Sequence, residues 1–299
     1  MATHRTRGRR AVNGHRRGPL PGPLVGTDWV APRLGTAGLV VLDASIGAHR
    51  DADERIPGAR PFDIDGALSD HAGPLPHTMP DARHFGREMR ALGVNDGDTV
   101  VVYDAAGIYS SARAWWMLRA MGFDRAAVLD GGLPAWRSAG LPLEKGGPVP
   151  VQRPGDFTAR PRPGLIVGSD AVTAALADPA SAVLDARSRD RFSGTAAEPR
   201  PGLRGGHMPG AVNLPFGDIQ QHGRMRPPAQ LRAAFSPLAG DRRRLVLSCG
   251  SGVTACILAL GAALAGYDEL AVYDGSWSEW GLPSDRPVAT GPGSGGPLS

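Results

Sequence analysis

The feature that most constrains this chain is that its second half repeats its first. Leu39-Val40-Val41-Leu42-Asp43-Ala44 returns as Ala182-Val183-Leu184-Asp185-Ala186, and Ile56-Pro57-Gly58-Ala59 returns as Met208-Pro209-Gly210-Ala211. Val100-Val101-Val102-Tyr103-Asp104 returns as Leu245-Val246-Leu247-Ser248-Cys249, and Val128-Leu129-Asp130-Gly131-Gly132 as Val272-Tyr273-Asp274-Gly275-Ser276. The offsets of 142, 152, 145 and 144 residues are far too long for a solenoid repeat and steady enough for one duplicated domain. Two domains fit a chain of 299 residues, each half being long enough to bury its own core.

Within each copy, short apolar runs alternate with helical patterns. Strands are expected at 39–43, 99–103 and 126–129, and again at 182–185, 244–248 and 270–273, because short continuous apolar runs suit strands buried on both faces of a parallel sheet. Helices are expected at 111–121 and 254–265, with Gly122 and Gly266 closing them. The alternation predicts an α/β protein with two tandem domains, each a parallel β-sheet flanked by helices. The boundaries read as an Arg-rich disordered arm over 1–24, a first domain over 25–141, a proline-rich linker over 142–165, a second domain over 166–288 and a disordered tail over 289–299.

Charge narrows the partners. The formal net charge is +4, but six arginines and no acid fall within residues 1–27, so the remaining chain carries two more acids than bases. The basic balance therefore belongs to the arm, and no nucleic-acid-binding face is expected. No run approaches eighteen apolar residues, so no membrane span is expected either. The arm lacks the apolar stretch of a secretory signal and the periodicity of a transit peptide, which points to a cytoplasmic protein. The two cysteines, Cys249 and Cys256, are poorly spaced to bridge and read as reduced thiols.

Cys249 reads as a nucleophile. It ends an expected strand, a helix begins a few residues later, and ligands of open α/β sheets gather at that carboxyl edge. Gly250 and Gly252 let the backbone of Cys249-Gly250-Ser251-Gly252-Val253-Thr254 curl so that its N–H groups form an anion nest, and the helix adds its positive end. Both effects favour a thiolate and the persulfide anion that would follow it. A cysteine that merely packs would need no glycine on both sides of the following serine. Cys256, set among Ala255, Ile257 and Leu258, reads as buried. Ala255 occupies the position where a phosphatase of this loop type needs a phosphate-gripping arginine, which argues against that chemistry.

The active segment, followed by Tyr273-Asp274-Gly275-Ser276-Trp277-Ser278-Glu279-Trp280, resembles the two-domain sulfurtransferases of the rhodanese superfamily, and more narrowly their mercaptopyruvate-using members. The resemblance runs from about Val25 to Leu282 and implies two rhodanese-like domains with the active loop in the second. The first copy has Asp104 at the cysteine position; a carboxylate cannot carry sulfane sulfur, so this copy should be catalytically silent. The neutral Gly250-Ser251 pair is the pattern of mercaptopyruvate users, thiosulfate users having cationic side chains there. By the same resemblance Arg191 and Arg200 would hold the substrate's carboxylate and keto oxygen, a task suited to guanidinium forks. Ser251, His77 and Asp65 would form a proton relay, while Gly250, Gly252, Val253 and Thr254 would line the sulfur site. Arg187 and His207 are expected to be structural, and Arg55 stands where the family usually has histidine. The implied reaction takes sulfane sulfur from 3-mercaptopyruvate through a Cys249 persulfide to a thiol acceptor, such as thioredoxin or a small thiol, or to cyanide. A thiosulfate:cyanide sulfurtransferase and a persulfide carrier without turnover are the alternatives. No metal and no cofactor are expected, because the eight histidines are scattered, the cysteines are two, and no nucleotide loop follows a strand.

Overall fold

A computed structural model describes residues 20–50, 52–147, 149, 151 and 153–293; residues 1–19 of the arm and 294–299 of the tail lie outside the described residues. Each half builds a five-stranded parallel sheet. In the first the strands lie in the order Leu24–Val25, Ala126–Leu129, Thr99–Tyr103, Leu39–Asp43, Arg60–Pro61. The second repeats that order with Ile166–Val167, Glu269–Tyr273, Arg244–Ser248, Ser181–Asp185 and Val212–Asn213. The long strands agree with the sequence expectation to within a residue. The short edge strands are set by their neighbours rather than by any apolar run of their own.

Alternating residues of each strand are buried on opposite faces, which is why the runs are apolar throughout. Val40, Leu42, Val100 and Val102 meet one core, while Val41, Val101 and Tyr103 meet another with Val30, Leu133 and Trp136. In the second half Leu184, Leu245 and Leu247 face the first of these cores, and Val183, Val246 and Tyr273 face a third. The shared core joins the domains. Its centre is the pair of helices Ser111–Ala120 and Ala255–Leu264, which pack against each other and are buried along nearly their whole length. Helices apolar all round belong in an interior, and here that interior fixes one half of the chain against the other. Each ends in a Schellman motif: Phe123 N–H reaches the Leu118 carbonyl and Tyr267 N–H the Ala262 carbonyl, with Gly122 and Gly266 at φ of 82° and 92°.

Two segments without regular structure are held by the rest of the chain. The expected linker is strapped along the first domain: Gly155 N–H bonds the Arg90 carbonyl, Arg160 N–H that of Met121, and Phe157 is fully buried. Glu144–Lys145 also pairs with Glu54–Arg55, where Arg55 Nε donates to Glu144 at 2.7 Å. Residues 289–291, expected as the start of a disordered tail, are instead docked: Ala289 exchanges two backbone hydrogen bonds with His207 and Gly291 N–H reaches the Ser193 carbonyl. Proline and glycine there mark a chain that follows a groove without repeating structure, and composition alone does not separate that from disorder. No helix of the described residues is long and apolar enough to cross a membrane.

Candidate active site

Cys249 follows the strand Arg244–Ser248 and is almost fully buried; six residues later the helix Ala255–Leu264 begins, with Thr254 at its N-cap position. The intervening loop needs both its glycines. Gly252 has φ of 74°, and a Cβ there would come within 2.8 Å of the Asp274 carbonyl. At Gly250 the reason is space: a Cβ would meet Arg191 Nη2 at 3.0 Å, so the missing side chain is what lets the guanidinium lie over the loop. Val253 packs its side chain into the core, so it can serve the site only through its backbone.

The silent copy shows what such a loop holds. One oxygen of the Asp104 carboxylate accepts the amides of Tyr109, Ser110 and Ser111 at 2.8–3.0 Å, and the other accepts that of Ala106 at 3.0 Å. Burial pushes this carboxyl upward and the amides pull it back. Ser251 and Thr254 are the counterparts of Ala106 and Tyr109, and among the described residues their amides meet no acceptor. The Cys256 amide, counterpart of that of Ser111, instead donates to the Val253 carbonyl, so the second loop offers part of the same nest.

From the first domain, His77 and Asp65 reach the loop that follows Cys249. His77 Nδ1 lies 3.0 Å from Ser251 Oγ, and His77 Nε2 lies 2.9 Å from Asp65. Burial holds the His77 imidazole below the ordinary histidine value, with Asp65 working in the opposite direction and Arg200 and Arg113 adding to the depression. A neutral ring at neutral pH can accept a proton from the serine. His77 sits at φ of 58°. Its carbonyl accepts from Arg113 Nη2 at 2.8 Å, the same nitrogen reaches Asp274 at 2.7 Å, and Met79 N–H donates to Asp274 at 2.8 Å.

The arginines of this region differ in what they touch. Arg187 is fully buried between Asp185 and Glu198 and lies 4.2 Å over the Trp277 ring, a structural arrangement. Arg191 gives Nε and Nη2 to Glu198, which fixes its plane beside Gly250. Arg200 touches Ser278 Oγ at 3.5 Å, and among the described residues no carboxylate pairs with it. His207 is buried, donates from Nδ1 to the Phe192 carbonyl at 2.9 Å and stacks on the Phe192 ring at 3.9 Å. Cys256 is buried and its thiol is pushed up to about 12 by burial, Arg113 beside it pulling the other way, so only Cys249 is fitted to react. Among the described residues no group of three or more His, Cys, Asp or Glu is placed to hold a metal ion.

Four residues at the site were not found by sequence reasoning. Tyr109, from the silent loop, is exposed beside Cys249, Arg191 and Arg200, with its ring 5.8 Å from Phe216. The Arg113–Asp274 pair and Ser276 also belong to the site's frame; the repeated Asp-Gly motif holding Asp130 and Asp274 was the one signal that could have pointed to the last two. The rhodanese-like domain family matches the chain twice, at residues 27–139 and 169–282. The 3-mercaptopyruvate sulfurtransferase of Homo sapiens is 43% identical over 274 residues, 86% of this chain and 91% of that protein. That of Escherichia coli K12 is 39% identical over 277 residues, 89% of this chain and 97% of its own length. Among solved structures, a 3-mercaptopyruvate sulfotransferase from Escherichia coli superposes with a TM-score of 0.76 at 36% identity, covering 86% of this chain and all of that one.

Proposed function

The chain belongs to the rhodanese family, and from that premise we propose that it moves sulfane sulfur from 3-mercaptopyruvate to a thiol acceptor, or to cyanide, through a persulfide on Cys249. It is a sulfurtransferase. The observation that carries the donor assignment is the pairing of a neutral loop at Cys249 with two guanidinium groups, Arg191 and Arg200, set around it. An α-keto acid offers a carboxylate and a keto oxygen to such groups.

The reaction needs only atoms the donor brings. The Cys249 thiolate attacks the donor sulfur, an S–S bond forms, and the C–S bond breaks with its electron pair passing to the methylene carbon. The proton of the donor thiol passes to Ser251 and the neutral His77 and returns to that carbon, giving pyruvate, while Asp65 holds the ring and balances its transient charge. The persulfide anion then lies in the loop's amide nest. An acceptor thiolate, from thioredoxin or a small thiol, attacks the outer sulfur and releases the Cys249 thiolate. Sulfur is carried covalently, so the chemistry calls for no cofactor.

The test is a comparison of 3-mercaptopyruvate with thiosulfate on the purified protein, with intact-mass measurement for one added sulfur. The expected result is a higher kcat/KM for 3-mercaptopyruvate, with the sulfur on Cys249 and no transfer from any donor in Cys249→Ser. A preference for thiosulfate would overturn the donor assignment, and transfer by Cys249→Ser would overturn the carrier.

A further inference from the structure

We propose that Ser276 is a positioning residue for sulfur transfer, its hydroxyl holding the loop after Cys249 in the open form that receives the sulfur. The inference rests on Cys249 being the sulfur carrier. Ser276 Oγ accepts the amides of Cys249 and Gly252, each at 3.1 Å, and donates to the Tyr273 carbonyl at 2.8 Å. It is fully buried and lies 4.0 Å from the Cys249 sulfur. One hydroxyl therefore ties both ends of the Cys249–Gly252 turn to the end of the neighbouring strand.

The backbone makes the choice of serine unusual. Ser276 has φ of 48°, a region that a residue with a Cβ enters only under strain. Among the described residues three that are not glycine have positive φ, and two of them, His77 and Ser276, are in this site. The duplicated domain supplies an internal control. The counterpart of Ser276 is Gly132, at φ of 53°, and the hydrogen bond from Trp277 N–H to the Cys249 carbonyl has its partner in Leu133 N–H to the Asp104 carbonyl. Glycine is the strain-free residue for that conformation, and the silent copy uses it. There the loop has closed over the position: a Cβ on Gly132 would lie 2.2 Å from the Gly107 carbonyl and 2.3 Å from that of Asp104. In the active copy the same space holds a hydroxyl that two loop amides reach. The strained serine is kept where the loop must stay open, and glycine stands where the loop has closed around a fixed carboxylate.

Two variants separate this role from simple packing. Ser276→Gly removes the hydroxyl and relieves the backbone; Ser276→Ala removes the hydroxyl and keeps the strain. Loss of a group that orders the reacting atom lowers the rate of chemistry more than binding, so both should lose about 30-fold or more in kcat with KM for 3-mercaptopyruvate within about threefold. In the same proteins, hydrogen exchange at the amides of Cys249 and Gly252 should speed by about tenfold or more, since those amides lose their acceptor. A merely structural role predicts instead that Ser276→Gly, the less strained protein, is at least as active as wild type. The proposal is overturned if either folded variant keeps kcat within about threefold, or if those two amides exchange at the wild-type rate. Should Ser276→Gly fail to fold, Ser276→Ala decides by the same readings. Amide exchange does not depend on the donor, so failure of the sulfur-carrier reading, seen as no one-sulfur adduct on wild-type Cys249, remains a separate result.

Discussion

Replacing Arg113 by alanine should uncouple the relay from the loop, and the structure says by how much. The guanidinium is fully buried on the helix Ser111–Ala120 and donates from one nitrogen to both Asp274 and the His77 carbonyl. Asp274 is 14% exposed and keeps one other donor, the Met79 amide. Removing one partner of a buried ion pair costs about 3–5 kcal/mol, and the slight exposure of Asp274 argues for the lower end, about 3 kcal/mol. Asp274 then has only Met79 to hold it, and the strained His77 backbone loses its donor. A shift of about 1 Å in a reacting group can cost about a hundredfold in rate, so kcat should fall by roughly 10- to 100-fold. The decisive companion is Arg113→Met with Asp274→Asn, which removes both charges and leaves an amide oxygen for Met79. Stability, read from urea unfolding by tryptophan fluorescence, should return to within about 1 kcal/mol of wild type, because neutral replacement of a buried pair is nearly free. Activity should stay low, because the His77 carbonyl still lacks its donor. A loss below about 1 kcal/mol in Arg113→Ala, or full recovery of kcat in the double variant, would refute the reasoning.

The pH dependence tests His77. Because burial lowers its pKa, the acid limb of kcat should lie below the ordinary histidine value of about 6.5, with activity lost as the ring gains a proton and can no longer accept one. Asp65→Asn removes the carboxylate that works against burial, so the limb should move further to acid while kcat falls; a limb at or above about 6.5 in wild type would contradict the assignment. The same group lowers stability as pH falls below about 6.5, since the unfolded chain then binds the proton that the folded chain resists. For the substrate clamp, Arg191→Ala should raise KM for 3-mercaptopyruvate by roughly tenfold and change the thiosulfate reaction less; equal losses for both donors would remove Arg191 from the clamp.

How much of this could be read in the sequence follows from the range of each interaction. Strands such as Thr99–Tyr103 and Arg244–Ser248 were legible because burial on both faces leaves an unbroken apolar run. The closing glycines of the two central helices were legible for an equally local reason, the positive φ that a Schellman motif requires. Within the site, Cys249 announced itself through Gly250 and Gly252, but Asp65, His77, Arg191 and Arg200 were reached only through family resemblance. Nothing local in Pro76-His77-Thr78 states that its ring meets a serine 174 residues away. Arg113 was hidden for a different reason: it lies in an apolar helix whose other residues make the shared core, and its partner comes from the opposite domain. The docking of the linker at Phe157 and of the segment through Gly291 is not legible, because proline and glycine report the absence of regular structure, and a docked irregular segment has the same composition as a free one.

The duplication explains more than the fold. An aspartate side chain and a cysteine persulfide both place a negative atom two bonds beyond Cβ, so Asp104 sits in its loop as the persulfide of Cys249 would sit in the other. In the first copy that group is part of the chain, and the loop can fold down on it: four amides converge on the carboxylate, and Gly107 packs so closely that a Cβ would lie 2.9 Å from Gly223. The Gln220–Gln221 and Arg224–Met225 hairpin of the second domain then closes over it, with Gln220 reaching the Ile108 carbonyl and Met225 N–H reaching Asp130. In the second copy the charge moves outward only after the donor has reacted, so the loop cannot use it as a folding template. It must be held by something already present, and it must leave a path for donor and acceptor. The buried Arg113–Asp274 pair below and the hydroxyl of Ser276 behind supply that support, while the mouth is left to Arg191, Arg200 and the exposed ring of Tyr109. The loop at Cys249 is in this sense shaped for a charge that it acquires only on reaction, whereas the loop at Asp104 is folded around a group that belongs to the chain.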